Sequence, residues 1–250
     1  MSPGIALVTG AAGGLGSAIA HELASRGWSL VLTDRPGVNM ADLLADLRSH
    51  HPSGVFRDFS ADLADPTQLA ELVRHAGHVD CLVNNAALPS SSSLGEITVS
   101  EWNRVLNINL RAPMLLMQAV ARVFSAQGTG GSIVNVASRV WATGGPAAYV
   151  AAKAGLVGLT HAAAFEYGAF GVRVNAVAPS AVETAFTAGS RSPAALADFQ
   201  GRQAAMSALG RAPEVHEIAT SVAFLAGSDS SFVTGEVLHV CGGLQLAPMP

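Results

Sequence analysis

The short strand-like runs of this chain are apolar throughout instead of on alternate residues, and that pattern constrains the fold more than any other feature. IALVT (5–9) opens the series and SLVLTD (29–34) follows; GVFRDFSADL carries a third run. VDCLVNNA (79–86), GSIVNVAS (131–138), VRVNAVAP (172–179) and a short EVLHV complete it. A strand buried on both faces loses its in–out alternation, and such strands occur in parallel sheets covered by helices. The helical runs lie between them. In GLGSAIAHELASRG, Leu15, Ile19 and Leu23 fall on one face and Gly27 suits the position past the helix end. NMADLLADLRSHH has Asn39 as a cap, and DPTQLAELVRHAG has Asp65 as a cap with Pro66 at its first helical position. Residues 98–127 read as one long helix or two joined ones, and further helices are expected around 149–168 and at 214–226. No linker or repeat interrupts residues 1–250. The expected architecture is single-domain α/β, a doubly wound parallel sheet (Rossmann fold) with helices on both faces.

Charge and composition exclude several function classes. The net charge is −4, charged residues make up 13% of the chain, and no basic stripe suggests nucleic acid. No run reaches the ~18 apolar residues that a spanning helix needs. The start, MSPGIALVTG, lacks a basic region and a cleavage pattern, so the expectation is a soluble cytoplasmic protein without a signal peptide. Cys81 and Cys241 read as core hydrophobes, and the eight histidines form no ligand-like cluster, so no metal is expected.

In doubly wound sheets, ligands bind beyond the carboxyl ends of the strands, so the loops after strands carry the chemistry. TGAAGGLG lies between the first strand and the first helix. There Gly10, Gly14 and Gly16 permit a tight turn and close approach to a pyrophosphate seated on the helix N-terminus. Asp34, at the end of the second strand, can bond the ribose hydroxyls of an adenosine and would repel a 2′-phosphate. Gly13 offers no cation for that phosphate, whereas Arg35 does. The charges favour NAD over NADP.

Tyr149 and Lys153 are four residues apart, on one face of a helix, and Lys153 is the only lysine of the chain. A free phenol has a pKa of about 10, and a neighbouring ammonium would bring it down toward the range of a useful base. A tyrosine beside an exposed lysine is the blander reading of the pair alone. The wider context resembles the short-chain dehydrogenase/reductase family over nearly the whole chain. TGAAGGLG matches its TGxxxGxG motif, NNAA (84–87) its NNAG and YVAAK its YxxxK, and residues 210–243 look like its C-terminal signature.

That resemblance implies roles. Tyr149 would be the general acid/base, Lys153 would depress its pKa and bond the nicotinamide ribose, and Ser138 would hold the substrate oxygen. Asn109 would link Lys153 to a proton-relay water. Asp62 and Leu63 would flank the adenine, Asn85 and Ala86 would line the cofactor cleft, and Thr184 would contact the carboxamide. Gly13, Leu15, Pro179 and Val182 would complete the cofactor contacts. A compact ammonium between a phenolate and a ribose is a task arginine's planar fork does poorly, which accounts for the one lysine kept.

Some positions depart from the family pattern. Ala87 and Ser180 stand where glycine is usual, Cys241 stands where an acid is common, and Ser138 lies 11 residues before Tyr149, two fewer than usual. The expected substrate pocket comprises Leu88, Pro89, Ser138, Val140, Trp141, Ala142, Tyr149 and Ser180 to Val182, under a lid near 185–206. Trp141 is either a selector of flat substrates or a packing residue. Arg139 could bind an acidic group or simply face solvent. The expected activity is hydride transfer between NAD(H) and a largely apolar secondary alcohol or ketone. The alternatives are a non-catalytic NAD-binding regulator on the same fold, and an epimerase. The apolar helices around 112–124 and 156–165 suggest a homotetramer, again by resemblance.

Overall fold

The structure, a computed structural model, describes residues 4–189 and 192–246. Its elements alternate as the sequence suggests: β1 (Ile5–Thr9), α1 (Gly14–Ser25), β2 (Ser29–Thr33), α2 (Ala41–His50), β3 (Phe56–Asp58), α3 (Pro66–Ala76) and β4 (Cys81–Asn84). Then come α4 (Val99–Leu106), a π-helical turn (Asn107–Arg111), α5 (Ala112–Gln127), β5 (Gly131–Val136), α6 (Val140–Thr143) and α7 (Ala147–Tyr167). β6 (Val172–Pro179), α8 (Ala185–Ala188), α9 (Pro193–Met206), α10 (Val215–Ala226) and β7 (Val237–Val240) follow.

All seven strands are parallel, in the order β3-β2-β1-β4-β5-β6-β7. The order reverses between β1 and β4, and in such sheets the ligand crevice lies there, beyond the strand ends. Alternate residues of each strand feed two cores. On β1, Ala6 and Val8 pack with Ile19 and Leu23 of α1 and with Ile218 and Val222 of α10. Leu7, between them, packs with Leu72, Leu116 and Phe124 on the opposite face. Both faces are therefore apolar, which is why the strands show no alternation.

Local chemistry sets the helix ends. Asp65 accepts from the Thr67 amide at 2.8 Å, and Pro66 occupies the first helical turn, as expected. Asn39 takes the Ala41 amide at 2.9 Å, although α2 begins after Met40 and so one residue later than expected. The stretch 98–127 resolves into two helices joined by the π turn. The third strand shrinks to three residues, but Phe59 and Ala61 remain tied to the Leu32 and Asp34 carbonyls. No described helix is long and apolar enough to cross a membrane.

Two buried polar devices fix the helices on the sheet. Asn84 donates to Asn135 at 2.9 Å, Asn135 donates to Thr160 at 2.9 Å, and Thr160 donates to the Leu156 carbonyl. This thread joins β4, β5 and α7 through groups that burial obliges to pair. Arg173 of β6 gathers the end of α10, donating to the carbonyls of Leu225, Ala226 and Gly227 and to Ser230. Arg173→Ala removes four charge-assisted bonds and leaves those carbonyls only the Ser132 and Ser230 hydroxyls. It should lower stability by about 2 kcal/mol, read as a lower urea midpoint with the native far-UV spectrum retained.

Candidate active site

The crevice is built from the ends of β1, β2, β4, β5 and β6. At the end of β1, the hydroxyl of Thr9 accepts the amides of both Asn85 and Ala86 at 3.0 Å. The Asn85 side chain returns two bonds, to the Thr9 carbonyl at 2.9 Å and to the Gly10 carbonyl at 3.1 Å. The ends of β1 and β4 are thus knotted together beside the glycine loop. Gly10 needs its left-handed φ of 64°, and a Cβ there would lie 2.8 Å from the Ala86 Cα. A Cβ at Gly16 would run into the Gly10 carbonyl oxygen, so α1 can start against the loop only with glycine.

Asp34 lies just beyond β2 and turns back to this loop. One carboxylate oxygen accepts the Ala12 amide at 3.0 Å and the other accepts the Arg35 amide at 2.9 Å. The acid therefore stands at the glycine loop, and the Arg35 side chain is exposed beside it. Asp62 caps its own turn through the Ala64 amide. Leu63 is buried in the core beside Leu69, so only the Asp62 end of this pair is exposed.

At the end of β5, Lys153 is 2% exposed and donates to the Val136 carbonyl at 2.6 Å. Its Nζ lies 5.6 Å from the centre of the Tyr149 ring. Ser138, two residues beyond Val136, lies near enough to the Tyr149 hydroxyl to favour its ionised form. Tyr149, Lys153 and Ser138 are thereby brought together. Burial pushes the phenol of Tyr149 up to about 12, with Ser138 pulling weakly the other way. Burial also pulls Lys153 down to about 8. The expectation that the lysine brings the phenol down is therefore not met, because desolvation of the phenol dominates.

Asn109 lies in the π turn, fully buried, a placement often found at functional sites. Its side chain accepts the Leu88 amide at 2.7 Å and donates to the Leu88 carbonyl at 2.9 Å. The amide is committed to the loop after β4 and not to Lys153. Beyond that loop, Ser90 and Ser92 both donate to Glu101, whose carboxyl they hold below the usual range.

After β6 the chain passes Pro179, the buried Ser180 and Val182, and reaches Thr184. A Cβ at Gly14 would lie 3.0 Å from the Thr184 methyl, so this segment lies over the glycine loop. Thr184 caps α8, and two residues later the Phe186 ring sits 6.2 Å from that of Tyr149. Trp141 of α6 packs with Ala137, Val157, Ala176 and Ala178 and lies 6.0 Å from the His239 ring. It is a packing residue at the β6–β7 edge. In the sequence Thr9 is visible only as the first residue of TGAAGGLG and Phe186 only as part of the segment 185–206, and neither carries a signal of its contacts.

Residues 10–245 match a family model described as enoyl-(acyl carrier protein) reductase. The chain belongs to the short-chain dehydrogenase/reductase family. The cis-4-hydroxycyclohexanecarboxylate dehydrogenase of Sinomonas cyclohexanicum is 38% identical, covering 96% of this chain and 95% of its own. Levodione reductase superposes with a TM-score of 0.90 at 31% identity, covering 99% of both chains. A single-residue variant of actinorhodin polyketide ketoreductase, solved with NADPH, gives 0.88 at 31% identity over 98% of each chain. As a short-chain dehydrogenase/reductase, the chain is an oxidoreductase that acts on small molecules with a nicotinamide dinucleotide.

The residues present fit that cofactor. Gly13 and Gly14 are exposed at the start of α1, whose first amides have no partner within the helix and could receive a pyrophosphate. Thr9→Val keeps the shape of the β1 end but leaves the Ala86 amide unpaired and the Asn85 amide with only the Val83 carbonyl. It should weaken reduced-cofactor binding about tenfold, followed by nicotinamide fluorescence, with the fold retained.

Proposed function

We propose that this chain transfers a hydride between NAD(H) and a largely apolar secondary alcohol or ketone, with Tyr149 as the general acid/base. The observation that carries this reading is the meeting of Tyr149, Ser138 and Lys153 at the end of β5, on the crevice side of the sheet. A bound nicotinamide dinucleotide would supply the hydride acceptor or donor. The chain's own residues handle the proton. In reduction the Tyr149 hydroxyl gives its proton to the forming alkoxide, with Ser138 donating to the same oxygen. In oxidation the phenolate takes the hydroxyl proton. Lys153, held on Val136, places a positive charge behind the ring and in reach of the ribose.

Asp34 supports NAD over NADP. Its carboxylate is fixed against the Ala12 amide, where a 2′-phosphate would meet like charge. Arg35 does not pair with it through its side chain. The NADPH seen with a relative belongs to that protein.

Leu88, held by Asn109, and Phe186, against Tyr149, support an apolar substrate wall. The segment 185–206, formed by α8 and α9, would act as the lid, with residues 190 and 191 outside the described part. The exposed Phe165 and Phe170, on and just after α7, favour assembly into the expected homotetramer.

The test is reduced-nicotinamide absorbance with a panel of secondary alcohols and ketones, each run with NAD(H) and NADP(H). Turnover should favour NAD(H), and Tyr149→Phe should lower it about 10²–10⁴-fold. Because the phenol lies near 12, it is protonated at neutral pH and ready for reduction. The kcat/KM for oxidation should therefore climb with pH through the alkaline range, while that for reduction should not. A Tyr149→Phe enzyme with full activity, or a preference for NADP(H), contradicts the corresponding half of the proposal.

A further inference from the structure

We infer that Arg139 is a substrate-carboxylate receptor, so that the substrate is an apolar ketone or alcohol bearing a carboxylate. This deepens the proposed dehydrogenase reading and rests on it. Arg139 follows Ser138 directly, and its amide is fixed on the Pro179 carbonyl at 3.0 Å, between the ends of β5 and β6. The guanidinium reaches across to α9. It donates to the Gln203 amide oxygen at 3.2 Å and to the Thr143 hydroxyl at 3.3 Å.

Both acceptors are neutral. Among the described residues, Arg26, Arg202 and Arg211 each pair with a carboxylate. Arg48, Arg57, Arg111 and Arg173 are spent on backbone carbonyls. Arg139 shares the lack of either partner with Arg35, Arg74, Arg104 and Arg122, but those four are exposed whereas Arg139 is only partly so. Glu183 and Glu214 line the cavity of about 390 Å³ that Gln203 also borders, yet neither forms an ion pair with it. A half-buried cation with donors to spare is a strong receptor for a carboxylate, which accepts two parallel bonds from the planar fork.

The position suits that task. The substrate oxygen belongs at Ser138 and Tyr149, the carboxylate at the next residue along, and Phe186, beside Tyr149, offers its ring to the apolar body. Gln203 serves as a neutral stand-in when no carboxylate is bound, and it ties the receptor to α9.

Matched pairs of ketones test this, each a ketocarboxylate and its neutral carboxamide, in a series of increasing length from 4-oxocyclohexanecarboxylate. For the best pair the wild-type protein should favour the carboxylate by about 10–100-fold in kcat/KM, chiefly through KM. In Arg139→Met that ratio should collapse toward one, Arg139→Lys should restore part of it, and added salt should lower it in the wild type. A wild-type ratio near one, or a ratio unchanged in Arg139→Met, overturns the inference and leaves the dehydrogenase reading standing. Failure to turn over any pair counts against the dehydrogenase reading itself. Calorimetric titration of cyclohexanecarboxylate and cyclohexanecarboxamide into the protein with reduced cofactor then decides Arg139 separately. Equal affinity for the two overturns the inference, and a carboxylate preference lost in Arg139→Met sustains it.

Discussion

One hydrogen bond organises the reacting end of this molecule: the Lys153 ammonium donates to the Val136 carbonyl at 2.6 Å. It ties α7 to the last residue of β5. Tyr149 stands one helical turn before Lys153, and Ser138 stands two residues after Val136, so the same bond sets the two hydroxyls against each other. Burying the ammonium has a cost. With Lys153 down at about 8, the folded protein releases its proton well before an unfolded chain would, and at neutral pH the penalty is on the order of 3 kcal/mol. Between about 8 and 10.5 the unfolded chain holds a proton that the folded chain has lost, so this penalty fades as pH rises. A structural role alone would be better served by a neutral side chain, which is why the cost points to chemistry.

The cofactor end rests on a different device. Thr9 receives the two amides that leave β4, Asn85 returns its side chain to the loop after β1, and glycines allow the close approach this requires. The loop after β6 then crosses over, with Thr184 against Gly14 and Phe186 against Tyr149. Three loops from strands that are distant in sequence converge on one crevice because the sheet reverses its strand order between β1 and β4.

Much of this was legible in the sequence because it follows from local rules. Wholly apolar strand runs demand a sheet covered on both faces, a glycine turn between strand and helix marks a phosphate cradle, and Asp65 with Pro66 marks a helix start. The contents of the crevice were less legible. Nothing local announces that residues 107–111 form a π turn, or that Asn109 spends its amide on Leu88, because both depend on packing between distant segments. Trp141 looks like a pocket wall from its place after Ser138, yet the turn at α6 directs it to the β6–β7 edge. The phenol of Tyr149 illustrates the same limit. Proximity to a cation was readable from the spacing, whereas the burial that outweighs it was not.

The single lysine makes the central claim directly measurable. Protein labelled with ¹⁵N only at lysine gives one side-chain nitrogen signal, and its shift can be followed with pH in the cofactor-free protein. The account predicts that this nitrogen titrates near 8, as expected for an ammonium buried on the Val136 carbonyl. A titration near 10.5 would mean a solvated lysine, and neither the Val136 bond nor the placement of Tyr149 that depends on it could then stand.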